Sequence, residues 1–216
     1  MCVLTVNEFS GFALCRFRES VYPSNTPLFS QTFSAGLHAL TGQIDIGGWV
    51  FSYLLTHAEE RKPCLSKGTS FLWNYQPISL SALQEKSCYV GDINKTTGNM
   101  SAAKQFSKFK RRKNLFITES ELRDMFCLTE ERWNRPLSHC GNESYRITAA
   151  LGYAAGKRVF CLPWMTNSQV KYYWGTITFL ADFFKVNDCI FLLPVESDTV
   201  VKDIALSITD LSYLTP

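Results

Sequence analysis

Between residues 36 and 58 an apolar run enters a glycine-bounded loop, and the loop opens into a helical pattern. The run is Gly36-Leu37-His38-Ala39-Leu40-Thr41-Gly42, and the loop continues Gln43-Ile44-Asp45-Ile46-Gly47-Gly48-Trp49. Val50, Phe51, Leu54, Leu55 and Ala58 then recur on one face, which predicts a helix from Trp49 to Ala58. Strand, glycine loop and helix in that order are the setting of the phosphate-binding loop G-x-x-x-x-G-K-[ST]. Gly42 and Gly47 stand where that pattern needs its two glycines. Gly48 stands where a lysine would reach the phosphates, and Trp49 where a hydroxyl would hold Mg²⁺. The frame commits the chain to a strand–loop–helix unit; the residues that do the loop's chemistry are replaced.

A chain of 216 residues suits one α/β domain with a proper core. The formal charge of +3 is too small to imply nucleic acid or an acidic partner. The N-terminus, Met1-Cys2-Val3-Leu4-Thr5, does not read as a signal peptide, since no basic region precedes an apolar block. No run approaches the roughly 20 apolar residues of a membrane span. Eight cysteines are scattered without a C-x-x-C pair, so zinc-ligand spacing is absent. Most lie beside apolar residues and read as small buried hydrophobes in a reducing compartment, which places the protein in the cytoplasm.

Alternation from Val3 to Phe33, broken by Gly11 and by Tyr22-Pro23-Ser24-Asn25-Thr26-Pro27, predicts two or three antiparallel strands. Further strands are expected at Leu37–Leu40, Phe71–Tyr75, Ser87–Val90, Val159–Leu162 and Cys189–Leu193. A helical section runs from Ser101 to about Gly156. Within it Thr118-Glu119-Ser120-Glu121 reads as a capping box. One long amphipathic helix, capped by Thr166-Asn167-Ser168, joins the last two strands. Strands separated by such helices argue for a parallel sheet with crossovers.

In this order and spacing the chain resembles the nucleotide-binding domain of ABC transporters over nearly its whole length. The segment Cys140-Gly141-Asn142-Glu143-Ser144-Tyr145-Arg146 resembles the family signature. Cys140 takes the signature serine position, and Gly141 and Asn142 take the two glycines, with Glu143 following; a register on Leu137-Ser138 misplaces Arg146 by two residues. Pro163 and Trp164 follow the strand Val159-Phe160-Cys161-Leu162, where the family carries Asp-Glu to order Mg²⁺ and activate water. Asp92, after Tyr89-Val90-Gly91, stands for the family's glutamine, and Val195 for its switch histidine. Tyr22 is at the separation of the aromatic residue that stacks on adenine, and reads equally as turn packing.

The resemblance implies an α/β P-loop NTPase-like (RecA-like) core with an N-terminal antiparallel β subdomain and an inserted helical subdomain. One domain would span residues 1–216, with the core at about 1–100 and 157–216 and the helical part at 101–156. Phosphoryl transfer rests on positioning and charge neutralisation. Here only backbone N–H groups from Ile46 to Val50 and the helix N-terminus remain for that task, and Asp45 adds a negative charge. The expected function is therefore a degenerate, non-hydrolytic ATP-binding-type subunit, a pseudo-ATPase, with no catalytic residues, no metal site and no resident cofactor. ATP and Mg²⁺ would enter only if residual binding survives. Its partners would be a membrane permease or a second ATPase-like subunit, in a homo- or heterodimer, cytoplasmic or peripheral at the inner face of the membrane, and without nucleic acid. Two alternatives stay open: a nucleotide hydrolase using displaced residues, and a free-standing α/β interaction domain.

Other constellations read as structural. The run from Lys104 to Lys113 holds six basic residues with Phe106 and Phe109, and is expected to be a solvated helix face with its phenylalanines inward; anionic lipid or phosphate contact is the functional reading. His38 is expected to be buried and hydrogen-bonded, and His57 to sit at a helix C-terminus. His139-Cys140 are chain neighbours that point apart, which disfavours a thiol nucleophile with its base. Glu130-Glu131 read as a helix surface.

Overall fold

The computed structural model describes residues 1–9, 11–12, 14–15, 18–19, 29–44, 48–56, 64–65, 68–91, 98–113 and 117–211. Two compact units are formed, one from Met1–Tyr89 with Arg158–Pro216 and the other from Val90–Lys157.

The first unit holds two main sheets. In the antiparallel sheet β1 (Leu4–Phe9) lies between β2 (Phe29–Phe33) and β4 (Ser70–Trp73), with β5 (Gln76–Ile78) outermost. Leu4 and Val6 are buried while Thr5 and Asn7 are not, the period-2 pattern of a half-buried strand. An irregularity between Val6 and Phe9, with Glu8 at φ of 48°, shifts the alternation so that Phe9 is buried. The strand expected to reach Tyr75 stops at Trp73. Trp73 pairs with Gln76, and Asn74 and Tyr75 have φ of 51° and 66°. That is the two-residue turn whose positive φ values match strand twist. Asn74 stabilises it, accepting the Val3 N–H on Oδ1 at 2.9 Å and donating its own N–H to Val3 O at 2.8 Å.

The second sheet is parallel, in the order β6 (Ser87–Tyr89), β7 (Val159–Cys161), β8 (Ile190–Val195), β3 (Gly36–Thr41), β9 (Ser207–Asp210). Every residue of β3 and β8 is buried. This explains the apolar sequence of β8 and the largely apolar one of β3, where His38 and Thr41 are the buried polar residues, because a parallel sheet is covered on both faces. Helix α1 (Gly48–Thr56) follows β3 and α2 (Leu80–Lys86) precedes β6. Phe51, wholly buried on α1, meets Phe9, Phe29 and Phe33 at ring-centroid distances of 5.0, 5.5 and 5.9 Å and so ties the helix to the antiparallel sheet.

The single helix expected before β8 is two, α7 (Asn167–Tyr172) and α8 (Trp174–Val186). Thr166 caps the first through a reciprocal pair with Gln169. The joint at Tyr173 falls in Tyr172-Tyr173-Trp174-Gly175, a run of weak helix formers that the apolar period does not reveal.

His38 on β3 is 3 % exposed. Its Nε2 lies 2.8 Å from Ser34 O, which only accepts, so Nε2 carries the proton and Nδ1 accepts from the Ser207 hydroxyl at 2.7 Å. Burial pulls the ring below its ordinary value of 6.5, with the Ser34 bond opposing. As pH drops below 6.5 the unfolded chain takes up a proton that the folded ring resists, so stability falls from there down to the lowered folded value. Above pH 6.5 the ring is neutral in both states and contributes no slope. Denaturant unfolding at stepped pH should show this acid loss, and His38→Gln should flatten it; an unchanged slope would exclude His38 as its source.

In the second unit α3 (Ala102–Lys113), α4 (Glu119–Met125), α5 (Glu130–Asn134) and α6 (Ser144–Ala154) pack around Phe106, Leu122, Phe126, Trp133 and Ile147. The capping box opens α4: Glu121 Oε2 accepts the Thr118 N–H at 2.7 Å and Thr118 Oγ1 accepts the Glu121 N–H at 3.2 Å. Cys2, Cys140, Cys161 and Cys189 are buried free thiols, and burial pushes Cys189 up to about 12. Such thiols pack and do not react.

Candidate functional site

The strand β3 ends at Thr41, and Gly42 then turns with φ of 147°, a value open to glycine and costly for any side chain. Both polar groups of this glycine are engaged. Its N–H donates to Val195 O at 3.0 Å, and its carbonyl accepts the Trp164 indole N–H at 2.9 Å. Trp164 is carried there by the segment after β7, which runs beside the end of β8. Leu162 N–H donates to Leu192 O, Met165 N–H to Pro194 O and Glu196 N–H to Met165 O, each at 3.0 Å. Three positions chosen from sequence, at 42, 164 and 195, are thereby joined. Pro163 and Trp164 are half-buried, and Val195 is wholly buried.

Gly48 opens α1 pressed against β3. A Cβ at that position would lie 2.9 Å from Leu40 Cβ, 3.1 Å from Leu40 O and 3.5 Å from Pro194 Cβ. The first of these is closer than carbon atoms pack, and the second involves backbone. The lysine position is therefore one where the fold leaves no room for a side chain. Trp49 is half-buried and stacks on Tyr53, one turn later, at 5.2 Å and 29°. Tyr53 in turn meets the edge of Tyr89 at 6.4 Å. Val50 lies on α1. Asp45, Gly47, Asp92 and Tyr22 lie outside the described residues, as does His57.

None of Gly42, Gly48, Trp49, Pro163, Trp164 and Val195 carries a charge. Nearby polar groups that the sequence did not single out hold backbone in place. Glu196 accepts the Asn167 N–H at 3.1 Å, and Ser197 bonds the Asn167 side chain, fixing the start of α7. Thr41 Oγ1 makes long bonds to Thr209 O and Asp210 Oδ1. Their only sequence signal was position beside a strand end. Among the described residues no three His, Cys, Asp or Glu side chains are grouped to hold a metal ion.

The residues at the signature positions lie in the second unit. Cys140 is buried, its thiol directed at Arg132 O and Pro136 O at 3.4 Å, and burial raises its pKa. His139 is exposed, so the neighbouring side chains do not form a nucleophile and base. Gly141 has φ of 54° with open space around it, Asn142 is exposed, and Glu143 stands 3.8 Å from Arg132 Nε. Glu130 pairs with Arg123 at 3.6 Å and Glu131 with Arg135, both on the helix surface.

A scan against protein-family models found no match, and a search of curated proteins found none either. Solved structures do match. An ABC transporter ATP-binding protein from Pyrococcus furiosus superposes with a TM-score of 0.65 at 10% identity, covering 97% of each chain. An ATP-binding subunit of an ABC transporter gives 0.66 at 10% identity, over 98% of this chain and 86% of that one. The cbiO1 protein of Clostridium perfringens, part of the ABC transporter complex cbiONQ, gives 0.65 at 13% identity, over 97% and 84%. The chain thus has the mixed α/β P-loop NTPase fold of ABC transporter ATP-binding subunits, whose main sheets here are an antiparallel and a parallel one.

Proposed function

We propose that this protein is a non-hydrolytic, ATP-binding-type subunit of an ABC transporter that works by docking to a membrane permease or to a second ATPase-like subunit. The observation that carries the reading is the bond from Trp164 to Gly42. Where the resemblance implies carboxylates for Mg²⁺ and water, an indole N–H caps the loop's first carbonyl. Packing at Gly48 supports it, since Leu40 excludes a side chain from the place of the phosphate-reaching lysine. The described residues therefore do not fit Mg-ATP. Positions 42, 48, 49, 163, 164 and 195 offer it no cation and no carboxylate, and phosphoryl transfer needs charge neutralisation above all. In this reading the fold is kept as a docking scaffold, and hydrolysis belongs to a partner subunit. The position of cbiO1 in a multi-component transporter supports a partner of that kind. No helix among the described residues is long and apolar enough to cross a membrane, consistent with a permease supplied by another chain.

Steady-state phosphate release from Mg-ATP tests the catalytic half. The purified protein should show no turnover above background. Turnover that saturates with ATP and disappears in Gly47→Val would overturn it.

A further inference from the structure

The charge of this chain is unevenly placed. Residues 90–157 hold twelve Lys and Arg against seven Asp and Glu, whereas the rest of the chain holds ten against twelve. Much of the surplus sits on α3. Elsewhere in the second unit three arginines are answered locally: Arg123 by Glu130, Arg132 by Glu143 and Arg135 by Glu131. Glu121 is engaged by Thr118 in the capping box. Lys104, Lys108 and Lys110 are exposed and make no ion pair among the described residues; Lys108 Nζ reaches only Met100 Sδ, a weak acceptor, at 3.2 Å.

Helical spacing puts Lys104 and Lys108 on one stripe, one turn apart. Phe106 faces the opposite way, 2 % exposed and in edge contact with Trp133 at 6.2 Å. Phe106 is thus already used inside the unit, and Phe109, three residues on, is half-buried. Among described residues 98–157 no large hydrophobic side chain is exposed.

We infer that the outward stripe of α3 is a docking surface for an anionic membrane, held by electrostatic adsorption without insertion. Lys104, Lys108 and Lys110 form a convex cationic ridge about 9 Å long on this helix. Such a ridge meets a plane of negative headgroups along its whole length. Against duplex nucleic acid, itself convex, it would touch few phosphates, and without exposed aromatic side chains it offers no stacking for single strands. With Phe106 turned inward and Phe109 half-buried, no exposed large apolar side chain among the described residues of this unit is left to enter the acyl boundary, so attraction rests on charge and is screened by salt. The inference does not rest on the transporter reading.

Permease-free vesicles test it, of phosphatidylcholine alone and with roughly one-third phosphatidylglycerol. The full chain should sediment with the anionic vesicles at low salt, be released at high salt, and ignore the neutral ones. Lys104→Glu with Lys108→Glu should lower partitioning about tenfold or more, while Lys104→Arg with Lys108→Arg keeps it. Circular dichroism verifies that the variants fold; should the reversal variant not fold, the salt response of the unaltered protein decides. Absence of vesicle binding, equal binding to neutral vesicles, retention at high salt, or binding untouched by the reversal would each overturn the inference. So would salt-sensitive capture by polyglutamate or duplex DNA but not by vesicles.

Discussion

Phe51→Ala is expected to cost about 3–5 kcal/mol, the range for deleting a fully enclosed aromatic ring. Phe51 has no exposed surface and contacts the rings of Phe9, Phe29 and Phe33, which belong to two strands of the antiparallel sheet. Its helix also packs under the strands that carry the loop. Removing the ring leaves a void that three rigid phenylalanines cannot close, since each is fixed to sheet backbone. The loss combines the transfer free energy of the ring with the cavity left behind. Urea unfolding of the variant against the parent measures it directly. A change below about 1 kcal/mol would mean that the site collapses, and that Phe51 does not join helix to sheet as described.

Gly48→Lys, which restores the missing cation of the loop, is expected to destabilise the protein by about 1–3 kcal/mol, the usual cost of overpacking. The new Cβ meets Leu40 on a strand fixed from both sides by β8 and β9. Relief requires α1 to move off the sheet, which disturbs the contacts of Phe51 as well. The cation should confer no affinity for Mg-ATP, because Trp164 still caps Gly42 and no carboxylate stands at positions 163 and 164. Thermal unfolding of Gly48→Lys, with and without Mg-ATP, reads both effects. A variant as stable as the parent would contradict the packing account.

How much of this could be read in sequence depends on the range of the interaction concerned. β3 and β8 were legible because a doubly covered parallel strand is largely apolar, and α1 was legible from its periodic face. The capping box at Thr118 and the helix cap at Thr166 are also local, a matter of residues a few positions apart. The turn at Asn74-Tyr75 was hidden, because Tyr75 continues an aromatic run and nothing local shows that it adopts positive φ. The division between α7 and α8 was hidden in the same way, by an apolar period that continues across Tyr173. Least legible was the bond between Trp164 and Gly42, which spans 122 residues. Sequence showed that Trp164 cannot replace a carboxylate, but not that its N–H reaches the loop. Packing of Gly48 on Leu40 is likewise a tertiary fact, invisible in the glycine itself.

The central claim is that the fold of an ATP-binding subunit is kept here without use of ATP, and nucleotide binding tests it most directly. A ligand at a hundred times its dissociation constant stabilises a folded protein by about 2.7 kcal/mol, a displacement of several degrees for small domains. Thermal unfolding of the unaltered protein across a Mg-ATP titration should show no dose-dependent displacement. A saturable rise that needs Mg²⁺ and is lost in Gly47→Val would contradict the account.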